Sequence, residues 1–585
     1  MDEDEIVMTP VKKGKATSIR IERQRRQEVD RTAVHHKAGG QHSGLVVNKQ
    51  QQGASNASTE QAQLQLEFTC FLVNQRTGDR FVERRQLRYW FQDDADHFTR
   101  MNGAYEFFKE LVRPDTFPRD YVGFIKKSMK QMQSDRYRQI RKVDVELEPL
   151  GNDDNPLPSP GTLQQFNYEP STGLPKQDDR AIEEIVREQL LQTLESAYPN
   201  ILAMDDLMRL LETDEATILS QLEELKAQNL IKEMEVGGFM REVLDRKTEV
   251  KMVKQMPVIT GGSKPTVAII TAAYAEKLAV DAMMTHKTTF VKYKTEGESN
   301  VYTIGIIGEH KVISTKLPTV GRQRAAKISS GNTTTRLLGT FADVEHVFMV
   351  GGGGGCPHMA DYFKHPRLGD IVVSTPNSSG NMYVFCDSVH QKQESGELVY
   401  KNRYWKPLDA TLQNIVAELS AESEANPDQR PWDDFIIEGQ KELDEQQADF
   451  TRPPANTDRL FMSIGGSEVI EVAHPACPPD AVAGRRDGFP TVRRGCIGAG
   501  RPVTKDETLR QDFAARHEIL AYDTEFDQVL ESIVGNRKDS FLFVRGVVDY
   551  QDGQKNKEWQ PYASLAAAAY MKAVLCRLPG DNRDD

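Results

Sequence analysis

Cysteine is scarce in this chain: six among 585 residues (Cys70, Cys356, Cys386, Cys477, Cys496 and Cys576), scattered, with no C-x-x-C pair. That spacing excludes a disulfide framework and a zinc ribbon or finger, and it fits reduced thiols. His474 and Cys477 stand together without further ligands, so no metal is expected there. No apolar run approaches the roughly twenty residues that cross a bilayer, and the opening MDEDEIVMTPVKKGK has no signal-type apolar stretch. The expectation is an intracellular protein, cytoplasmic or nuclear, with no membrane partner. Excess positive charge is lacking as well: 74 Lys and Arg stand against 87 Asp and Glu, a formal net charge of -13. A field of that sign repels phosphate backbones and argues against a general nucleic-acid binder. The pattern G-x-x-x-x-G-K-[ST] is also missing, so a nucleoside triphosphate P-loop is not supported.

The length suits about three or four domains. Residues 1–62 are polar and glutamine-rich, with a basic cluster (Lys12, Lys13, Lys15, Arg20, Arg23, Arg25, Arg26) and almost no aromatic residue. Such a stretch is expected to bury too little apolar surface to order itself, and is read as a disordered tail. Residues 63–146 change character. Leu64 to Val73 and Phe81-Val82 flank a turn signal at Arg76–Asp79, and Tyr105, Phe107, Phe108 and Val112 follow at helical spacing. A small α+β domain is expected, then a Pro-, Gly- and Asn-rich linker over 147–179.

Residues 180–247 carry three short amphipathic periods: Ile182, Ile185, Val186, Leu190 and Leu194; Met204, Leu207, Leu210 and Leu211; Ile218, Leu219, Leu222 and Leu225. Asp214 is placed to cap the third, and Val236-Gly237-Gly238-Phe239 suggests a closing hairpin. Three helices and a hairpin resemble a winged helix. Its third helix, DEATILSQLEELKAQ, sets four acidic residues against one lysine. Acidic side chains facing phosphate weaken binding, so protein partners through 63–247 are expected in place of nucleic acid.

The most informative stretch is VEHVFMVGGGGGCPHMADYFKHPRLGDIVVS, residues 344–374. Five glycines follow one buried-strand signal (Val347 to Val350) and precede another (Ile371 to Val373). Bare backbone at a strand's carboxyl end is expected where something approaches closely, here as a turn beside a ligand. VGGGGGCPH followed by KHPRLGDIVVS resembles the glycine turn and following strand of the nucleoside phosphorylase and nucleosidase superfamily, in its eukaryotic multidomain form. TVAIITAAYAEKLAV (Thr266 to Val280), RRGCIGAGRPVTKDETLRQDF (Arg493 to Phe513) and FLFVRGVVDYQDGQKNKEWQPYASLAAAAYMKAVL (Phe541 to Leu575) resemble three more of its segments, in the same order.

The resemblance spans residues 265–577, with a polar insertion at about 417–456. It implies an α/β domain with a phosphorylase-type mixed central sheet flanked by helices, preceded by the small α+β and winged-helix-like domains. It also implies cleavage of the N-glycosidic bond of a purine nucleoside or nucleotide, no cofactor, and a domain that permits homo-oligomers. By the same resemblance Asp549 is the carboxyl group that donates to purine N7 and Glu276 the base that activates water. Glu525 holds sugar hydroxyls, with Thr524, Gly352, Gly353, Gly354 and Val503 also against substrate. A carboxyl that must hold a proton near neutral pH needs burial among apolar groups.

Phosphorolytic relatives have an arginine where this chain has Met349 and a serine or threonine where it has Gly352, so water is the expected acceptor. The chain departs from the family at Thr524, at Ala499-Gly500-Arg501 and at Val548, all near base and sugar. Those departures leave a second expectation open: a degenerate site that binds a nucleoside as sensor or scaffold.

Overall fold

A computed structural model of the chain describes residues 4–13, 16–38, 43–49, 60–73, 80–150, 181–234, 237–242, 249–253, 256–257, 264–292, 300–318, 323–392, 397–464, 469–478, 486–550 and 557–580. The chain forms two units: Met1–Lys176 with His358–His365 and Asn456–Pro478, and the remainder.

The first unit is built on nine strands: β1 (Asp4–Lys13), β2 (Ala16–Arg25), β3 (Val34–Lys37), β4 (Leu45–Asn48), β5 (Leu64–Val73), β6 (Arg80–Phe91), β7 (Ile140–Leu150), β19 (Leu460–Ser463) and β20 (Val469–Val472). Their order is β19-β20-β5-β6-β7-β2-β1-β4-β3, antiparallel except for β1 beside β4. Helices α1 (His97–Leu111) and α2 (Tyr121–Gln133) supply Phe107, Phe108 and Phe124 to the core, where Phe68 meets Phe108 at 5.3 Å.

The expected disordered tail is therefore corrected, since four strands fall within residues 4–48. In β2 the buried Ile19 and Ile21 alternate with Arg20 and Glu22. Charge at the alternate positions lowers the hydropathy of the segment without removing its buried face, and the charges pair across strands: Arg20 Nε lies 3.1 Å from Asp144 on β7. The expected turn at Arg76–Asp79 and, beyond β7, the expected linker lie outside the described residues.

The second unit opens with α3 (Ile182–Ala197), α4 (Met204–Leu211), α5 (Glu215–Ala227) and the hairpin β8 (Ile231–Glu233), β9 (Phe239–Arg241). Leu190, Leu194, Leu207, Ile218, Leu222 and Phe239 make its core. Asp214 caps α5 by accepting from Thr217 N at 3.0 Å, and Glu212 ends α4 in the left-handed region.

Twelve strands then make the large mixed sheet. Its centre is β11 (Val267–Thr271), β15 (His346–Gly355) and β23 (Ser540–Asp549), parallel to one another and buried almost throughout. To one side lie β14 (His310–Lys316), β13 (Asn300–Ile307), β12 (Thr285–Lys292) and β10 (Glu249–Val253). To the other lie β16 (Ile371–Ser374), β21 (Val492–Ala499), β17 (Tyr383–Gln391) and β18 (Leu398–Trp405), with β22 (Ile519–Asp523) paired to both β15 and β21. The helices are α6 (Tyr274–Ala282), α7 (Gln323–Thr340), α8 (Thr411–Ala425), α9 (Pro431–Glu442), α10 (Arg501–Lys505), α11 (Glu507–His517), α12 (Asp527–Gly535) and α13 (Trp559–Leu575). The alanine-rich α13 packs on β23 where Gly546 leaves room for the Ala563 carbonyl.

Two boundaries differ from the sequence reading. The segment expected as an insertion contains most of α8 and all of α9, and its Leu419, Trp432 and Ile436 are buried; Trp432 sits 5.1 Å from Tyr570 of α13. Most of their acidic residues lie on the outer face, which is what made the segment look polar, while Asp433 is buried and pairs with Arg486 at 3.1 Å. The stretch 265–577 is also not continuous in space, because 358–365 and 456–478 belong to the first unit.

Candidate active site

The five glycines continue a strand. Gly351 to Gly355 complete β15, paired to β23 on one edge and, at Gly354 and Gly355, to β22 on the other. The expected turn is thus corrected, and the physical reason lies in the neighbours. A Cβ at Gly351 would overlap the Glu276 carboxylate; at Gly352 it would sit 2.8 Å from Val548 Cγ1, and at Gly353 3.1 Å from the Tyr522 carbonyl oxygen and 3.3 Å from Arg545. Side chains from α6 and β23 and a backbone carbonyl from β22 occupy the space that residues other than glycine would need.

Glu276 reaches this strand from the first turn of α6. It is fully buried, and its Oε2 accepts from Ala272 N and Ala273 N at 2.8 Å each, while Oε1 accepts from Gly352 N at 2.7 Å. The capping function and the reach across to the glycine strand are one arrangement. The Gly352 amide is thereby spent on Glu276.

Arg545, which the sequence reading did not single out, approaches Gly352 from β23. It is 1% exposed and its Nη2 donates to the Gly352 carbonyl. The same Nη2 lies 3.2 Å from Asp523 Oδ1 and 3.3 Å from Glu525 Oε2, with the guanidinium 4.9 Å over the Phe526 ring. Its Nε and Nη1 hydrogens find no acceptor among the described residues. The one sequence signal was an arginine inside the apolar run FLFVRGVVD, where a charge is costly unless paired.

Asp523 ends β22, accepting from Tyr383 Oη at 2.8 Å and Phe526 N at 2.9 Å. Burial pushes its carboxyl above the usual range, and the Arg545 charge pulls it back. Glu276, Asp523 and Glu525 thus surround a single guanidinium, an excess of negative charge in a buried site.

Asp549 is the last residue of β23, in register with Gly354 and largely buried beside the fully buried Val548. The structure therefore brings Glu276, Gly352 and Glu525 together through Arg545, with Asp549 two positions further along the same strand pair. Thr524 is exposed on the turn after β22. Val503 is fully buried in α10 against Val384, Cys386, Phe513 and Tyr522, where its side chain serves packing. No group of three or more His, Cys, Asp or Glu placed to hold a metal occurs among the described residues, and no helix among them is long and apolar enough to cross a membrane.

Known proteins resemble parts of this chain. A family model described as a winged helix-turn-helix domain matches residues 176–243. A nucleotide-binding leucine-rich repeat (NLR)-like protein of Hyaloscypha variabilis is 28% identical over 328 residues, covering 53% of this chain and 29% of that protein. The chain spans less than a third of the length of that curated relative. Similar solved structures include 5'-methylthioadenosine/S-adenosylhomocysteine nucleosidase from Neisseria meningitidis in complex with methylthio-immucillin-A, at 13% identity over 53% of this chain and 99% of that one, TM-score 0.32. Native futalosine hydrolase of Helicobacter pylori strain 26695 is similar at 13% identity over 54% and 98%, TM-score 0.31.

Proposed function

We propose that the second unit hydrolyses the N-glycosidic bond of a purine nucleoside or nucleotide. The observation that carries this reading is the meeting of a carboxylate and a guanidinium on one residue: Glu276 on the Gly352 amide and Arg545 on the Gly352 carbonyl. Bond cleavage leaves a ribosyl centre with oxocarbenium character, and three carboxylates around one guanidinium stabilise positive charge as it develops. The same excess of negative charge opposes a phosphate dianion, which favours water as acceptor.

In this reading Glu276 takes a proton from water as the oxygen bonds to C1', and the idle donors of Arg545 orient that oxygen. Asp549 hands its proton to N7 of the departing base as the C1'–N9 bond breaks, and Glu525 holds the sugar hydroxyls. Products are the free base and the sugar. Chromatography of a nucleoside panel incubated with the full chain tests it: free purine should appear, and Asp549→Asn should slow its release on the order of 100-fold or more.

A second reading is favoured by the same carboxylate. Glu276 already accepts three backbone amides. A group so fully engaged serves equally in a domain that binds a nucleoside without turning it over, for sensing or scaffolding. Saturable nucleoside binding with no base released in the panel selects that reading.

A further inference from the structure

The winged helix and the Glu276 helix share one hydrophobic cluster. Tyr198, Ile201 and Met240 come from the winged helix; Tyr274, Leu278 and Val291 come from the large sheet and α6. Tyr274 opens α6 two residues before Glu276, and Leu278 follows one turn later on the same face. The Tyr198 and Tyr274 rings meet edge to face at 5.5 Å and 80°.

Two buried cations fasten this contact. Arg241, at the end of β9, lies 5.1 Å over the Tyr274 ring; it donates to Glu195 at 3.1 Å within the winged helix and to Gln447 at 3.2 Å outside it. The Tyr274 hydroxyl in turn donates to the Glu242 carbonyl at 3.3 Å. Lys316 is fully buried, and its ammonium donates to the carbonyls of Ser196 (3.0 Å), Tyr198 (3.2 Å) and Leu317 (2.9 Å), gripping the end of α3. Lys316 is the β14 partner of Thr271, the residue before Ala272. Both sides of residues 271–274 are therefore tied to the winged helix, and the amides of Ala272 and Ala273 hold the Glu276 carboxylate. A buried ammonium satisfied by carbonyls of another module belongs to a permanent contact, because separation strands all the groups involved.

We infer that the winged helix is a brace for α6: it sets Glu276 against Gly352, and Arg241, Tyr274 and Lys316 are positioning residues for the reaction. As a statement about catalysis the inference rests on the nucleosidase reading; as a statement about geometry it does not. Hydrogen exchange of the full chain, resolved by fragmentation at Ala272, Ala273 and Gly352, reads the Glu276 clamp itself.

Arg241→Ala should raise exchange at those three amides about tenfold, with Tyr274→Phe in the same direction and smaller. Arg209→Ala, an exposed change elsewhere on the winged helix, should leave them unchanged. On any nucleoside the wild type turns over, the first two variants should lower kcat with KM held. Faster exchange confined to residues 181–242, with Gly352 unchanged, overturns the brace; raised exchange at all three amides with kcat unaltered overturns the positioning role in the reaction. If the wild type releases no base, the reaction reading fails and exchange alone decides the brace. Tyr274→Phe removes one oxygen and keeps the test open if Arg241→Ala does not fold.

Discussion

Gly351 and Gly352 lie where the carboxylate of Glu276 and the side chain of Val548 fill the space of a Cβ. Gly351→Ala should therefore displace the carboxylate or the strand, destabilising the protein by about 1–3 kcal/mol in denaturant unfolding. An unchanged midpoint would show that the carboxylate does not press on this backbone. Glu276 and Asp549 were singled out by the resemblance of their segments to the nucleosidase pattern. Arg545 was not, because its importance comes from Asp523, Glu525 and Gly352, which meet it only after three strands are laid side by side. Val503 was singled out by its position in a matching segment, and its side chain packs among apolar neighbours.

Short elements that join a unit from far along the chain carry their own chemistry. In the segment His358–His365 the ring of His358 stacks on Tyr105 at 4.4 Å, and its Nδ1 accepts from Asp361 N at 3.0 Å. Desolvation pushes this imidazole down from 6.5 to about 4, with Asp361 opposing and Lys364 assisting. A depressed folded value means that the unfolded chain binds the proton first. Stability is whole above about pH 6.5 and falls as pH drops toward about 4, by at most about 3 kcal/mol given the partly exposed ring. His358→Phe keeps the stack and should flatten unfolding midpoints of the first unit between pH 7 and pH 4.5; an equal slope in both proteins contradicts the assignment. Among elements, β11, β15 and β23 were legible because central parallel strands are continuous apolar runs. Strands β1 and β2, and helices α8 and α9, were not, since half of each surface is charged and averages away the buried half.

At the scale of the whole molecule, the chain leaves the second unit at residues 358 and 456 and returns at 366 and 479. Sequence order alone hides such interleaving, because each excursion is too short to carry a domain's periodicity. The winged helix has a face committed to α6, and α5 carries Glu215, Glu223 and Glu224 against Lys226. Full-length protein should accordingly show no salt-sensitive retention on duplex DNA, and retention that weakens steeply with salt would contradict this. In the proposed hydrolysis, Glu276 and Arg545, meeting on Gly352, deliver water to a sugar carbon. Its most direct test is release of free purine from nucleosides with and without inorganic phosphate, for the full chain and for Glu276→Gln. The account predicts turnover indifferent to phosphate and lowered on the order of 100-fold or more in the variant. Turnover that requires phosphate, or that survives loss of the carboxylate, contradicts it.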